Sequence, residues 1–588
     1  MEGKQSDKSK SRPNPSQARN GRPPANTPSR PLIRRCRTSY RLDRRSSSTS
    51  SPVSFRTERT RLEQEPRGTS RAIKPVIEMG SNPAVGPKLD ELPEDVLCSI
   101  LSWLPMRDAA RASASCSTFL RIWGRHPRLT FDEDTLRLRK PLTRHEDDGI
   151  LLQQHEEHAR GFVLLVDGIL ASRRRGGDRA AALESLVVRF AHLRTRHAPC
   201  VDRWVRSALA SATTRHLVLD LAPHGSYNPE RLWYDFPCSL LAAGTPAAAA
   251  LEHLCLRQVV LVGHQPAPAP APANLATLVL DKVRVTNEDL ERFLSACPKL
   301  QSLELKRCPD LVYVKVSPAS PRRELKQLRF LAVEHCWSVG CIDVSGSAIE
   351  SLRVAGQNLP ASLLLGSAAA PAGEVTSATF DLDYIPTNSA GTDHDRPPSL
   401  ELLRLAHIMP RLESLFLTLG WEMKAVIPSR SSNNNYRFRH LKRVNITMYM
   451  PGQHGRDDFL FLHSFLDAAP VLESLSLHVM RWAPALQATS TAHPETTFRK
   501  HPRAPHHSLR DVDIVGFDGD LASLELALYI LDNARALRRL SLEQTWSDEE
   551  EDDDGGVSAR LMLLVHKAIA RHIAPAVPQD SGILLRIK

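Results

Sequence analysis

No CxxC pair occurs in this chain; its ten cysteines stand apart at 36, 98, 116, 200, 238, 255, 297, 308, 336 and 341. That scatter excludes a dithiol redox motif and a zinc-finger framework, and buried, reduced thiols are expected. Glycine-rich phosphate loops and nucleophile elbows are missing too, so neither nucleotide chemistry nor a serine-type hydrolase is indicated. His506 and His507 are adjacent in a Pro-containing stretch, and His566 and His572 are six apart, where one helix face needs three or four. No metal, cofactor or catalytic residue is expected, and the protein is read as a non-enzyme. No apolar run approaches the roughly 20 residues of a membrane helix, and no secretory core is visible, so a soluble protein is expected.

A basic balance is also lacking over most of the length. The net charge is +11, yet residues 1–74 hold 19 Lys/Arg against 6 Asp/Glu, leaving 58 against 60 elsewhere. The folded part therefore has no basic footprint for nucleic acid. Residues 1–88 are read as a disordered basic tail, rich in Ser, Pro and Arg and too poor in large apolar residues to repay the entropy of ordering. RPLIRRCR (30–37) and RLDRR (41–45) are nuclear-import or nucleic-acid patches at most. An organellar transit peptide fits poorly with Glu2 and Asp7.

What is present begins at residues 89–131, LDELPEDVLCSILSWLPMRDAARASASCSTFLRIWGRHPRLTF. Leu92-Pro93 opens a first helix, with Asp90 as a nearby cap and Glu94 and Asp95 at the positive end of its dipole. Val96, Leu97, Ile100, Leu101 and Leu104 recur at helical spacing, and Pro105 ends the helix. A second helix starts near Asp108, and a third holds Phe119, Leu120 and Trp123 before His126-Pro127. About forty residues cannot bury this much leucine and tryptophan alone. The module is either a cap on the following domain or a docking surface.

The same residues resemble an F-box in its plant form. The Leu-Pro start, Ile100-Leu101, Leu104-Pro105, Arg107-Asp108 and Trp123 carry the likeness. Where members have a Ser-Arg-Arg-Trp-like step, this chain has Ser117, Thr118 and Phe119, which keeps an aromatic without the flanking charge. The resemblance implies binding of a Skp-type adaptor, and through it a cullin, by Leu92, Pro93, Val96, Leu97, Ile100, Leu101, Leu104, Pro105, Phe119 and Trp123.

From about residue 183 the unit aliphatic-x-x-aliphatic-x-aliphatic recurs, a short strand with alternate side chains turned inward. Leu300-x-x-Leu303-x-Leu305-x-x-Cys308 and Leu328-x-x-Leu331-x-Val333-x-x-Cys336 fit the leucine-rich-repeat template, cysteine included. Further copies start at Leu183, Leu251, Leu275, Ile349, Val375, Leu412, Leu441, Leu472, Leu509 and Leu537, with a weaker one at Thr214. The spacing predicts an irregular α/β leucine-rich-repeat solenoid of about thirteen repeats over residues 132–545. Helices are expected over 287–296, 457–469 and 521–534, each stopping just before a strand. PAPAPAPA (266–273) is read as a stiff spacer and SRSSNNN (429–435) as an exposed loop.

VDRWVRSAL followed by RHLVLDL is similar to the stretch joining F-box and repeats in plant F-box/LRR proteins. Residues 508–543 resemble the FBD motif of that group, with Gly516-Phe517, Gly519, Glu525-Leu526-Ala527 and Asn533-Ala534 in its usual run. Residues 546–588 are read as an acidic loop, DEEEDDD at 548–554, then a capping helix (559–572) and a last strand (583–587).

The resemblance implies a substrate-recognition subunit of an SCF-type cullin–RING E3 ubiquitin ligase, acting in ubiquitin-conjugation and protein-degradation pathways in the nucleus or cytoplasm. The repeats would hold a client protein whose identity the chain does not spell out. The alternatives are a non-degradative interaction scaffold and nucleic-acid binding through residues 1–74.

Overall fold

The computed structural model describes residues 92–113, 118, 122–136, 138, 148–175, 182–222, 233–261, 272–316, 325–344, 347–356, 374–382, 399–420, 424–426, 437–450, 459–481, 498–499, 504–544, 556–578 and 582–587. The basic tail, the 429–435 loop and the acidic run lie outside them, as does most of the Pro-Ala spacer.

Fifteen strands form one parallel sheet. In chain order they are β1 (Arg128–Phe131), β2 (Ser185–Arg189), β3 (His216–Asp220), β4 (His253–Arg257), β5 (Thr277–Asp281), β6 (Ser302–Lys306), β7 (Phe330–Glu334) and β8 (Ser351–Ala355). There follow β9 (Ser377–Leu382), β10 (Ser414–Leu419), β11 (Arg443–Met450), β12 (Ser474–Arg481), β13 (Asp511–Val515), β14 (Arg539–Glu543) and β15 (Leu584–Ile587). Within the sheet each strand pairs with its predecessor and successor, so the sheet grows by one strand per repeat.

All thirteen starts read from the sequence lie two residues before a strand, β2 through β14. The physical reason is shared: the opening aliphatic residue anchors the chain in the core, and the second and fourth strand residues then point inward. Leu303 and Leu305, for example, are fully buried, while Ser302, Glu304 and Lys306 face outward. Thr214 is also fully buried in the anchoring position. Its hydroxyl lies 2.9 Å from the Leu183 carbonyl and 2.8 Å from that of Ala208, so the weak copy is held by hydrogen bonds instead of aliphatic contact. The sheet also gains a strand at each end. β1 is formed by the last residues of the segment read as a helical module, and β15 pairs with β14 near the C-terminal side.

The chain leaves several strands through a left-handed residue in the position after the strand. Gln258, Lys282, Arg307 and His335 have φ between 51° and 59°, and Gly516 stands at 81°. Their amides donate to the next strand's last carbonyl: Lys282 N to Lys306 O at 2.7 Å, Arg307 N to Glu334 O at 2.8 Å, Gly516 N to Glu543 O at 2.8 Å. At Gly516 a Cβ would overlap the Val479 carbonyl oxygen, so glycine is required there for space as well as conformation.

Helices cover the buried side of the sheet. The three expected between strands are Asn287–Ser295, Leu460–Ala468 and Leu521–Asn533. Thr286 caps the first, accepting from Asp289 N at 3.2 Å, and Asp520 caps the last, accepting from Ser523 N at 2.8 Å. A further helix lies outside those expectations: Asp148–Arg175, 28 residues between β1 and β2. Phe162, Val166 and Leu170 bury its inner face, and the Phe162 ring stacks on Phe190 at 4.0 Å. Its neighbour Ala198–Leu209 fastens to it through Trp204, whose Nε1 donates to Asp167 Oδ1 at 2.7 Å. The exposed Leu164 and Leu165 interrupt the inward periodicity of the long helix, which hides it in the sequence. The helix expected near the C-terminal side is Gly556–Ala568, and it runs on as a wider turn over Ile569–Ile573. No helix among the described residues is long and apolar enough to cross a membrane.

Candidate functional site

The first helix of the small module, α1, spans Glu94–Trp103, and the second, α2, spans Met106–Ser113. Pro93 precedes α1 in an extended conformation and its carbonyl accepts the Leu97 amide at 3.1 Å, so its ring sets the entry without costing a donor. Asp90, expected as a cap, lies outside the described residues. Pro105 sits between the helices; its carbonyl receives the amides of Asp108 and Ala109, both at 2.9 Å.

Two apolar faces result from the 100° step of α1. Leu97 and Leu101 point inward and form a small core with Ala109 and Ile122. Val96, Ile100 and Trp103 lie about a quarter-turn away, on a stripe facing solvent. Val96 is 44% and Trp103 78% exposed, and Ile100 is half-buried. Leaving an indole and an isopropyl group in water forfeits about 1.5–3 kcal/mol for each large side chain that burial would recover. The fold tolerates that loss here, with Pro93 and Pro105 exposed at the two ends of the same helix.

The expected adaptor-contact residues thus divide. Pro93, Val96 and Pro105 are exposed; Leu92, Ile100 and Leu104 are half-buried against the small core. Leu97 and Leu101 are its interior. Trp123 is turned inward and packs against both this core and the main one. Phe119 lies outside the described residues. Trp103 was not among the sequence candidates, although it sits seven residues after Val96 and three after Ile100, in line with both.

The module is fastened to the repeat sheet at β1. Met106 belongs to the main core, and its Sδ accepts the Thr130 amide at 3.2 Å. His126 is buried, with Nε2 3.0 Å from the Leu104 carbonyl and Nδ1 3.2 Å from the Arg128 amide. Nδ1 also lies 2.6 Å from the Arg128 carbonyl, so both ring nitrogens are engaged by backbone groups. Arg128 reaches back to the Ser102 carbonyl, Arg173 of the long helix donates to the His126 carbonyl at 2.7 Å, and Arg125 pairs with Glu94 at 3.0 Å.

The open face of the sheet is a second candidate surface. Register places Val187, Val218, Cys255 and Val279 side by side, followed by Glu304, Ala332 and Arg353. Farther along, Thr379, Phe416, Asn445 and Ser476 continue the row, and Phe416 is 44% exposed. The next row alternates in sign: Arg189, Asp220, Arg257, Asp281, Lys306 and Glu334 are successive neighbours. Arg257 bridges Asp220 at 3.0 Å and Asp281 at 2.7 Å, and Arg307 adds a contact to Asp281 at 2.8 Å. That hydrogen bond holds Arg307 above its ordinary pKa, against partial burial. Burial works against the Lys306 charge, but Glu304 and Glu334 more than offset it and raise the group. The ladder is self-neutralising, so this end of the face offers hydrogen bonds and pairing geometry instead of a field of one sign. Sequence reading missed it, because the signal appears only when the last residues of successive repeats are set side by side.

A helical module with an outward apolar stripe, carried on a repeat sheet with an open face, defines an interaction protein built from two binding elements. The F-box domain model matches residues 89–131, and the model described as At1g61320/AtMIF1, LRR domain, matches residues 173–583. The chain belongs to that leucine-rich-repeat family, in its F-box-bearing form. It is similar to the F-box/FBD/LRR-repeat protein At5g56420 of Arabidopsis thaliana, 27% identical over 224 residues, 38% of this chain and 44% of that protein. The F-box/FBD/LRR-repeat protein At3g52680 of the same plant is 28% identical over 247 residues, 40% of this chain and 45% of that protein. A putative FBD-associated F-box protein, At5g53635, also of Arabidopsis thaliana, is 25% identical over 325 residues, 54% of this chain and 69% of it. The chain thus spans less than half the length of the first two.

Proposed function

We propose that this chain is the substrate-recognition subunit of an SCF-type cullin–RING ubiquitin ligase, working in the nucleus or cytoplasm. One observation carries the reading: Val96, Ile100 and Trp103 present an apolar stripe on a module that the Met106, His126 and Arg128 contacts hold against the repeat sheet. An apolar stripe on a short helix matches the groove of a partner better than it matches water. A firm connection fixes where a client on the open face would stand relative to the adaptor. In this role the chain contributes proximity, and the ubiquitin transfer chemistry belongs to other subunits.

The test is binding of the full chain to a purified Skp-type adaptor, followed by co-purification of cullin from cells. Val96→Ala with Trp103→Ala should weaken adaptor binding while leaving the melting temperature unchanged. Unchanged affinity in that variant would overturn the reading. Adaptor without cullin, and no client accumulating under proteasome inhibition, would favour a non-degradative scaffold. Salt-sensitive nucleic-acid binding lost on deleting residues 1–80 would assign that activity to the basic tail.

A further inference from the structure

Behind the F-box, three side chains from separate elements converge. Glu133 lies in the turn after β1, His158 on the inner side of the long helix Asp148–Arg175, and His192 just beyond β2. One ligand atom from each lies within 4.8 Å of the other two, and His192 Nε2 is 3.7 Å from Glu133 Oε1. His158 is only 8% exposed, and neither of its ring nitrogens has a hydrogen-bond partner among the described residues. Its ring is walled by Phe190 at 5.1 Å and by His192 at 5.5 Å. A buried imidazole without partners costs about 1–3 kcal/mol per lost hydrogen bond, an expense that packing alone does not explain.

From this convergence we propose that Glu133, His158 and His192 form a binding site for a divalent transition metal, zinc by its chemistry. Two imidazoles and a carboxylate are a zinc ligand set, with bonds of about 2.0–2.2 Å and a solvent molecule in the fourth position. Tetrahedral bonds of that length put ligand atoms about 3.4 Å apart, so side-chain rotations of about an ångström close the site. Nickel or copper would use the same donors, and softer thiolate ligands are not part of the set. The ion would tie the segment leaving the F-box to the first crossover helix and the first repeat. It would therefore stiffen the joint between the two binding elements, a consequence independent of the ubiquitin-ligase reading.

The experiment uses the full chain, stripped with chelator under reducing conditions and titrated with Zn2+ against a chromophoric competitor. The expected result is one tight equivalent and a rise in melting temperature with zinc. His158→Gln, His192→Gln and Glu133→Gln should each weaken that equivalent at least tenfold and abolish the rise. Glu133→Gln is near-isosteric, so it reports even where a histidine change disturbs folding. Co2+ in place of zinc should give visible d–d bands without a thiolate charge-transfer band. Equal zinc affinity in the unaltered chain and the Glu133→Gln variant, no tight equivalent, or a thiolate band from cysteine binding would each overturn the proposal.

Discussion

The outer stripe of α1 and the open face of the repeat sheet are both accessible, but they are built in opposite ways. The stripe concentrates Val96, Ile100 and Trp103 on one short helix, with the small Ser99 as the polar neighbour between Val96 and Trp103. The open face spreads its groups over many strands and pairs its charges internally, Arg257 with Asp220 and Asp281, Lys306 with Glu304 and Glu334. Apolar area is non-directional and suits one groove used repeatedly. A satisfied polar ladder gives little affinity to an arbitrary partner, but it discriminates sharply, because a mismatched partner leaves buried groups unpaired. In the proposed function, the module would be the generic half of the molecule and the repeats the selective half.

The largest test of that contrast is Asp281→Ala. Asp281 is 1% exposed and stands between Arg257 and Arg307, so its removal should lower stability by about 3 kcal/mol in urea denaturation. Adaptor affinity should not change; if it does, the two regions are not independent. Next comes Val96→Ala with Trp103→Ala, which should weaken adaptor binding by about 2 kcal/mol, roughly thirtyfold, in isothermal calorimetry. A matching loss of melting temperature would mean that the stripe is structural and the contrast is misplaced. Gly516→Ala should cost about 1–2 kcal/mol for its left-handed φ and a further amount for displacing the Val479 carbonyl, on the repeat side alone.

The smallest effect expected is a pH dependence of the repeats. Burial is the first cause that lowers the pKa of His253 and of His506, with His216 adding to it for the former. These rings stay neutral in the fold but take up protons in the unfolded chain, so their contribution is fully present above pH about 6.5 and declines as pH falls below it. Urea midpoints at pH 7.5 and 5.5 should show lower stability at the acidic value, and His506→Gln should reduce the difference. Equal midpoints would remove the histidines from the account.

The repeat frame was legible because one rule generates it. An anchoring aliphatic residue, two inward side chains and a two-residue offset recur from Leu183 to Leu537, and the strands follow them at every copy. Even Thr214 obeyed the frame once its hydroxyl found the Leu183 and Ala208 carbonyls. The helix Asp148–Arg175 was not legible, since its burial depends on a sheet made of later residues, and its own apolar pattern is broken by exposed leucines. For the module, the sequence marked the apolar residues without dividing them. Leu97 and Trp103 look equally greasy in the chain, yet one is interior and the other is nearly free.

By itself, then, the sequence determined the period, the inward and outward alternation, and the presence of a helical module ahead of the repeats. Those properties are local: they depend on residue spacing along one strand or one helix. Tertiary structure alone decided which face of α1 stays open, how the alternating charges of separate repeats meet in one row, and that Glu133, His158 and His192 converge. Each of these joins residues tens of positions apart through strand register or crossover packing, and no local periodicity encodes such distances.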